Sequence, residues 1–159
     1  MKANEIRIGN IVTVDNPLFH PNLKDVPMLI KGIYETERGY AVKLEHIVPS
    51  DDIFTEYSQL TQFIRPIPLT EEILIKAGFE KKEFTRFTTF KLNRVEITNV
   101  EFFDEDKDGK EFSFKQWRIS GLYSSDLFYF KSYSPNIKSV HQLQNLIFAL
   151  MGEEIKIEL

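Results

Sequence analysis

MLIKGIYETERGYAVKLEHIV, residues 28–48, is two runs of apolar and β-branched residues, 28–36 and 40–48, hinged on Glu37-Arg38-Gly39. Runs of that length around a glycine able to take a positive φ read as a β-hairpin. In the second run Val42, Leu44, His46 and Val48 share one face and Lys43 and Glu45 the other, the two-residue period of a strand half-buried in a sheet.

Working outward, residues 5–14 (EIRIGNIVTV) alternate Ile6 and Ile8, pause at Gly9-Asn10, then run Ile11, Val12 and Val14. This is a strand interrupted by a turn or bulge. Residues 15–27 (DNPLFHPNLKDVP) carry Pro17, Pro21 and Pro27. A segment lacking those amide donors cannot be a central strand or a helix interior, so it is a long loop. Beyond the hairpin, a polar loop opens at Pro49-Ser50-Asp51-Asp52, and residues 60–65 offer another short strand. Four or five short strands with a long first loop predict a small SH3-like barrel over residues 1–66, although other β-meanders share the pattern.

Pro66-Ile67-Pro68 is a stiff connector to a second half, residues 67–159. Thr70 is placed to cap a helix, Glu71 and Glu72 favour its positive first turn, and Gly78 ends it, with Ile73, Leu74 and Ala77 on one face. Four strands are expected next, at 83–92, 94–103, 111–120 and 126–132, forming an antiparallel meander. Phe112 and Phe114 then fall on the face opposite Trp117 and Ile119, so either a bulge near Lys115-Gln116 shifts the register or both faces are covered. The bulge is preferred. Ser139 caps a second helix ending at Gly152, with His141, Gln142, Gln144 and Asn145 outside and residues 146–151 enclosed. Ile155, Ile157 and Leu159 alternate with Lys156 and Glu158 as a last strand. The fold class is α+β: a small barrel half followed by a meander packed with two helices.

The chain has 159 residues, 42% of them hydrophobic and 28% charged, including 14 Phe, 6 Tyr and one Trp. Such a composition folds, and burying each Phe is worth roughly 1.5–3 kcal/mol before entropy. With no cysteine there is no disulfide and no thiolate metal site, which suits a reducing compartment. No signal-peptide pattern opens the chain, and the longest apolar run is six residues against about 20 for a membrane span, so a cytoplasmic protein without membrane contact is expected. The net charge of −4 is spread over both halves and argues against a nucleic-acid binder, which ordinarily carries a basic excess.

Asp104, Asp106, Asp108 and Gly109 match the opening positions of a calcium loop, yet the twelfth position is Lys115. An ammonium stands where a bidentate carboxylate is needed, so a solvated acidic hairpin turn is the reading. His20, His46 and His141 show no metal-ligand spacing, and His46 on an apolar strand face reads as a core residue. Asp51-Asp52, Glu71-Glu72 and Glu153-Glu154 are doublets whose side chains diverge, hence not acid/base pairs. Neither a nucleophile elbow nor a phosphate-cradling glycine loop is present. No catalytic residue, cofactor or metal is therefore proposed, and a non-enzymatic role is expected. A mixed aromatic and basic set on the second-half strands, Phe84, Arg86, Phe90, Lys115, Trp117, Arg118 and Tyr129, reads mainly as core, with a protein interface or a stacking platform for single-stranded nucleic acid as the alternatives.

Three blocks, IRIGNIV (6–12), IRPIPLTEEILIKAGFEK (64–81) and VHQLQNLIFALMGEEI (140–155), resemble a family of small uncharacterised proteins of gut anaerobic bacteria, often encoded in prophages or other mobile elements. The resemblance implies an accessory role in such an element and carries no functional residue with it. The first functional expectation is thus a binding protein acting through contacts with a protein partner. The contact is placed in the loop 15–27, with Phe19 and His20 at its centre, since exposed loops on small barrels commonly carry recognition. Partner identity and oligomeric state are not legible.

Overall fold

The computed structural model describes residues 1–16, 24–47, 56–85, 87–93, 95–122, 136–157 and 159. It is a mostly β, α+β protein with two antiparallel sheets and two α-helices among these residues. Contacts divide the chain into two compact units, Met1–Pro68 with Ser139–Ile155, and Leu69–Lys138 with Lys156–Leu159. The cut falls after the Pro-x-Pro connector, where the sequence reading divides the halves at residue 66, but the C-terminal helix groups with the first sheet rather than with Leu69–Lys138.

In the first unit the strands are β1 (Ile11–Val14), β2 (Met28–Thr36), β3 (Gly39–His46), β4 (Glu56–Leu60) and β5 (Ile64–Arg65), in the order β4-β3-β2-β1-β5. A 3₁₀ turn at Thr61–Phe63 separates β4 from β5, so the stretch 60–65 is not one strand but a strand end, a turn and a short return beside β1. No pairing between β4 and β5 closes this sheet among the described residues. The β2–β3 hairpin turns at Gly39, whose φ is +108°, as its sequence requires.

One side of the sheet carries Val12, Val14, Met28, Ile30, Val42, Leu44 and Ile64, all buried, with Ile6 alongside. Regular alternation would send Ile33 to the opposite face from Ile30. Instead Ile30 and Gly32 pair with the adjacent Leu44 and Lys43, so Lys31 is an extra, bulged residue. The bulge lets Met28, Ile30 and Ile33 all serve one core.

Helix α2 (Val140–Met151) packs against β1. Of the polar residues expected outside, Gln142 is exposed and Asn145 half-buried, but His141 and Gln144 are buried, whereas Phe148 and Leu150, expected to be enclosed, are 41% and 40% exposed. Polar groups turn inward because β1 and the turn before it offer backbone groups to bond. Asn10 Nδ2 donates to Asn145 Oδ1 at 2.8 Å, and Asn145 Nδ2 donates to the Glu5 carbonyl at 3.0 Å. Arg7 forms a two-nitrogen ion pair with Glu154 and lies 4.2 Å from the centre of the Phe148 ring.

In the second unit α1 (Glu71–Lys76) begins as read: Thr70 Oγ1 accepts the Ile73 amide at 3.3 Å, and Gly78 follows at φ +86°. The sheet is β6 (Glu80–Glu83), β7 (Phe87–Leu92), β8 (Val95–Glu105) and β9 (Glu111–Leu122), in sequence order. The span 83–92 is therefore not a single strand. The Phe84 amide donates to the Phe87 carbonyl at 2.9 Å, closing a turn, and the charged β6 before it was missed because it buries no side chain.

The expected bulge at Lys115-Gln116 is absent: Lys115 faces Glu101 and Gln116 faces Val100 in unbroken register. The irregularity lies five residues on, where Glu96 pairs with Gly121 and Ile97 with Ile119, leaving Ser120 extra. Its hydroxyl donates to a Glu96 carboxylate oxygen at 2.8 Å. The fourth expected strand, 126–132, lies outside the described residues. Ile155 and Ile157 are buried and Lys156 exposed, in the alternation expected, but no strand is formed there.

Candidate binding surface

The first sheet carries a concave surface of about 530 Å³. Register builds it. Tyr34 pairs with Ala41 and Ala41 with Leu60, so three side chains line up across β2, β3 and β4 on the face opposite Val42. The middle one is a single methyl between two large groups, which leaves a dip with Ala41, 4% exposed, as its floor and Tyr34, 42% exposed, as one wall. Phe63 of the 3₁₀ turn adds a second ring.

The rim is polar and held by backbone contacts. Thr36 Oγ1 donates to the Gly39 carbonyl at 2.6 Å and accepts the Arg38 amide at 3.2 Å, fixing the hairpin tip that presents Glu37 and Arg38. On another side Asn16 Nδ2 donates to Gln59 Oε1 at 3.0 Å, and the Asp15 amide donates to the Phe63 carbonyl at 2.8 Å. Arg65 pairs with the Asp15 carboxylate at 3.3 Å. The loop 15–27 thus leaves the sheet from the border of this surface. Two rings, an aliphatic side chain, a guanidinium and a carboxylate can hold a ligand by shape and polar contact. Among the described residues the lining offers the Tyr34, Thr36 and Ser58 hydroxyls.

Phe19 and His20, the residues singled out for contact, lie outside the described residues, as do Asp51 and Asp52. Sequence reasoning missed Tyr34, Arg38, Leu60 and Phe63. The only signal for them was the Gly39 hairpin; which residues stand side by side across three strands is set by register, not by local pattern.

The remaining candidates resolve into structural roles. Asp104 belongs to the end of strand β8, and residues 106–110 form the β8–β9 hairpin turn, where Asp106 Oδ1 accepts the amides of Asp108 and Lys110, each at 2.9 Å. No group of three metal-ligating side chains occurs among the described residues. His46 is half-buried, its ring edge-on to Tyr57 and its Nε2 3.3 Å from the Tyr57 hydroxyl. In the helix-starting doublet Glu71 pairs with Lys81 at 3.0 Å and Glu72 with Lys76 at 3.4 Å. Glu83 and Glu71 together hold the Lys81 ammonium above its ordinary pKa, and Lys81 in turn lowers Glu83, all in open solvent.

The aromatic and basic set divides between two faces of the second sheet. Phe90, fully buried, meets Trp117 edge-on at 5.4 Å, and Lys115 lies on that same side. On the other side Arg118 stacks 4.6 Å from the Phe102 ring, Phe102 stacks on Phe114, and Phe84 stacks on Phe87. Arg86 and Tyr129 lie outside the described residues. No helix among the described residues is long and apolar enough to cross a membrane. Comparison with family models, curated proteins and solved structures finds no match for this chain.

Proposed function

We propose that this chain is a non-enzymatic binding protein, an accessory of a prophage or other mobile element acting in the cytoplasm through contacts with a protein partner, and that the concave surface of the first sheet makes those contacts. The observation that carries the reading is the pairing of the exposed Tyr34 ring with the Ala41 floor, an aromatic anchor beside a ready-made dip with a charged rim. The SH3-like description of this half is supported by the strand order β4-β3-β2-β1-β5, the long connection from β1 to β2, and the 3₁₀ turn before β5.

The test uses the full chain as bait in the host from which it comes, compared with Tyr34→Ala and Arg38→Ala. A partner retained by the wild type, lost from both variants and rebinding when purified supports the proposal. A partner retained equally by folded variants overturns the placement, and Phe19→Ala with His20→Ala then asks whether the neighbouring loop holds it. The alternative, nucleic-acid binding, draws support from the Lys82, Phe84, Phe87, Phe102 and Arg118 face of the second sheet. It has less, because Arg118 and Lys82 are already engaged by the chain's own rings and Thr89 and Thr98 on that face are buried. Salt-sensitive gel shifts with single- and double-stranded probes would favour it over protein contact.

A further inference from the structure

Ser139 is the residue before the first turn of α2, yet its hydroxyl caps no helix amide and lies instead 2.9 Å from Nδ1 of His141. Both residues are buried, His141 at 4% exposure, and they sit where the helix begins. That beginning is anchored to the connector just after β5 by the Val140 amide, which donates to the Ile67 carbonyl at 2.9 Å, and by a bridge between Pro68 and Ser139. A helix N-terminus presents partial positive charge, so an imidazolium at its second residue is opposed by the dipole as well as by burial.

We propose that His141 is a protonation switch for the seating of α2 on the first sheet: the neutral imidazole, hydrogen-bonded to Ser139, holds the helix start in place, and the imidazolium releases it. Burial lowers the His141 pKa below its ordinary value; the Glu5 carboxylate acts in the opposite direction, and the Met1 α-amino group adds to the lowering. The direction follows from linkage. A released helix binds the proton near the ordinary value of about 6.5, and the seated one only at lower pH. Seating is therefore complete above about pH 6.5 and weakens as pH falls toward the seated value. Release opens the Gly9 carbonyl and Ile11 amide that Gln144 otherwise occupies, beside the apolar side chains Leu143 and Ile147 of the helix.

The test is amide hydrogen exchange on the full chain from pH 7.5 to 5.0, corrected for intrinsic rates. Protection of α2 amides should fall below pH 6.5 by a factor approaching tenfold per unit, while β2 and β3 amides keep theirs, and His141→Gln should remove the fall. A flat α2 profile, a parallel loss in β2 and β3, or an unchanged slope in folded His141→Gln overturns the proposal. Should that variant not fold, the His141 titration in the wild-type NMR spectrum decides: a midpoint below 6.5 supports the switch and one at or above it overturns it.

Discussion

Gln144 Oε1 accepts the amide proton of Ile11 at 2.9 Å, across 133 positions of sequence. The same side chain donates from Nε2 to the Gly9 carbonyl at 3.1 Å. One carboxamide thus bonds the carbonyl before Asn10 and the amide after it, the pattern a residue of a neighbouring parallel strand would make. A helix residue completes the side of β1 that the two-residue β5 leaves unpaired at Ile11.

Replacing Gln144 by Ala leaves both backbone groups without their partner in a buried setting. The expected loss is about 2–6 kcal/mol, at about 1–3 kcal/mol for each of the two orphaned groups. Urea unfolding reads it, with Glu153→Ala, exposed beyond the helix end, as a control expected to stay within about 0.5 kcal/mol.

Gly9 has φ +92°, and a Cβ there would stand 3.3 Å from Glu154 Oε1 and 3.5 Å from an Arg7 guanidinium nitrogen. Gly39 has φ +108° with nothing within 4 Å. Gly39→Ala should therefore lose only the backbone term, about 1–3 kcal/mol, and Gly9→Ala that plus displacement of the Arg7–Glu154 pair. Thermal or chemical unfolding of the two variants should rank them in that order.

Hydrogen bonding to Arg7 holds the Glu154 carboxyl below its ordinary pKa. A carboxylate depressed on folding stabilises above its unfolded value, about 4.3, and that stability is lost as pH falls through the folded value. Because Glu154 is half exposed, screening keeps the effect within about 1 kcal/mol. Arg7→Met should remove this part of the acid slope below pH 4.5, measured by unfolding between pH 3 and 7.

Strand β6, Glu80-Lys81-Lys82-Glu83, is an edge of its sheet with every residue exposed and charged. Short charged edges discourage pairing with another chain. Glu80→Val combined with Lys82→Val should raise self-association, read by light scattering at rising concentration, while single Lys82→Glu leaves it unchanged.

Much of the local architecture was legible along the chain. The Thr70 cap, the glycines at 39 and 78, the Pro-x-Pro connector, the run 28–36 and the strand read at 94–103 each rest on interactions within a few residues, and local chemistry suffices to read them. The exceptions share one cause. Glu80–Glu83 has no apolar alternation because it is an edge, and the bulges at Lys31 and Ser120 are defined by partners on other strands. Tyr34 and Leu60 become one surface only when Ala41 stands between them.

By itself the sequence determined the α+β class, the β2–β3 hairpin and the start of α1, because turn chemistry and hydrophobic period act over short spans. Tertiary structure decided which way α2 faces. Helical periodicity assigns Gln144 and His141 to solvent and Phe148 and Leu150 to the interior, the reverse of what occurs. Periodicity weighs side chains by polarity alone, whereas β1 and the turn before it present backbone groups at Ile11 and Gly9 that Gln144 bonds, and leaving those without partners costs more than exposing two hydrophobic side chains at the helix end.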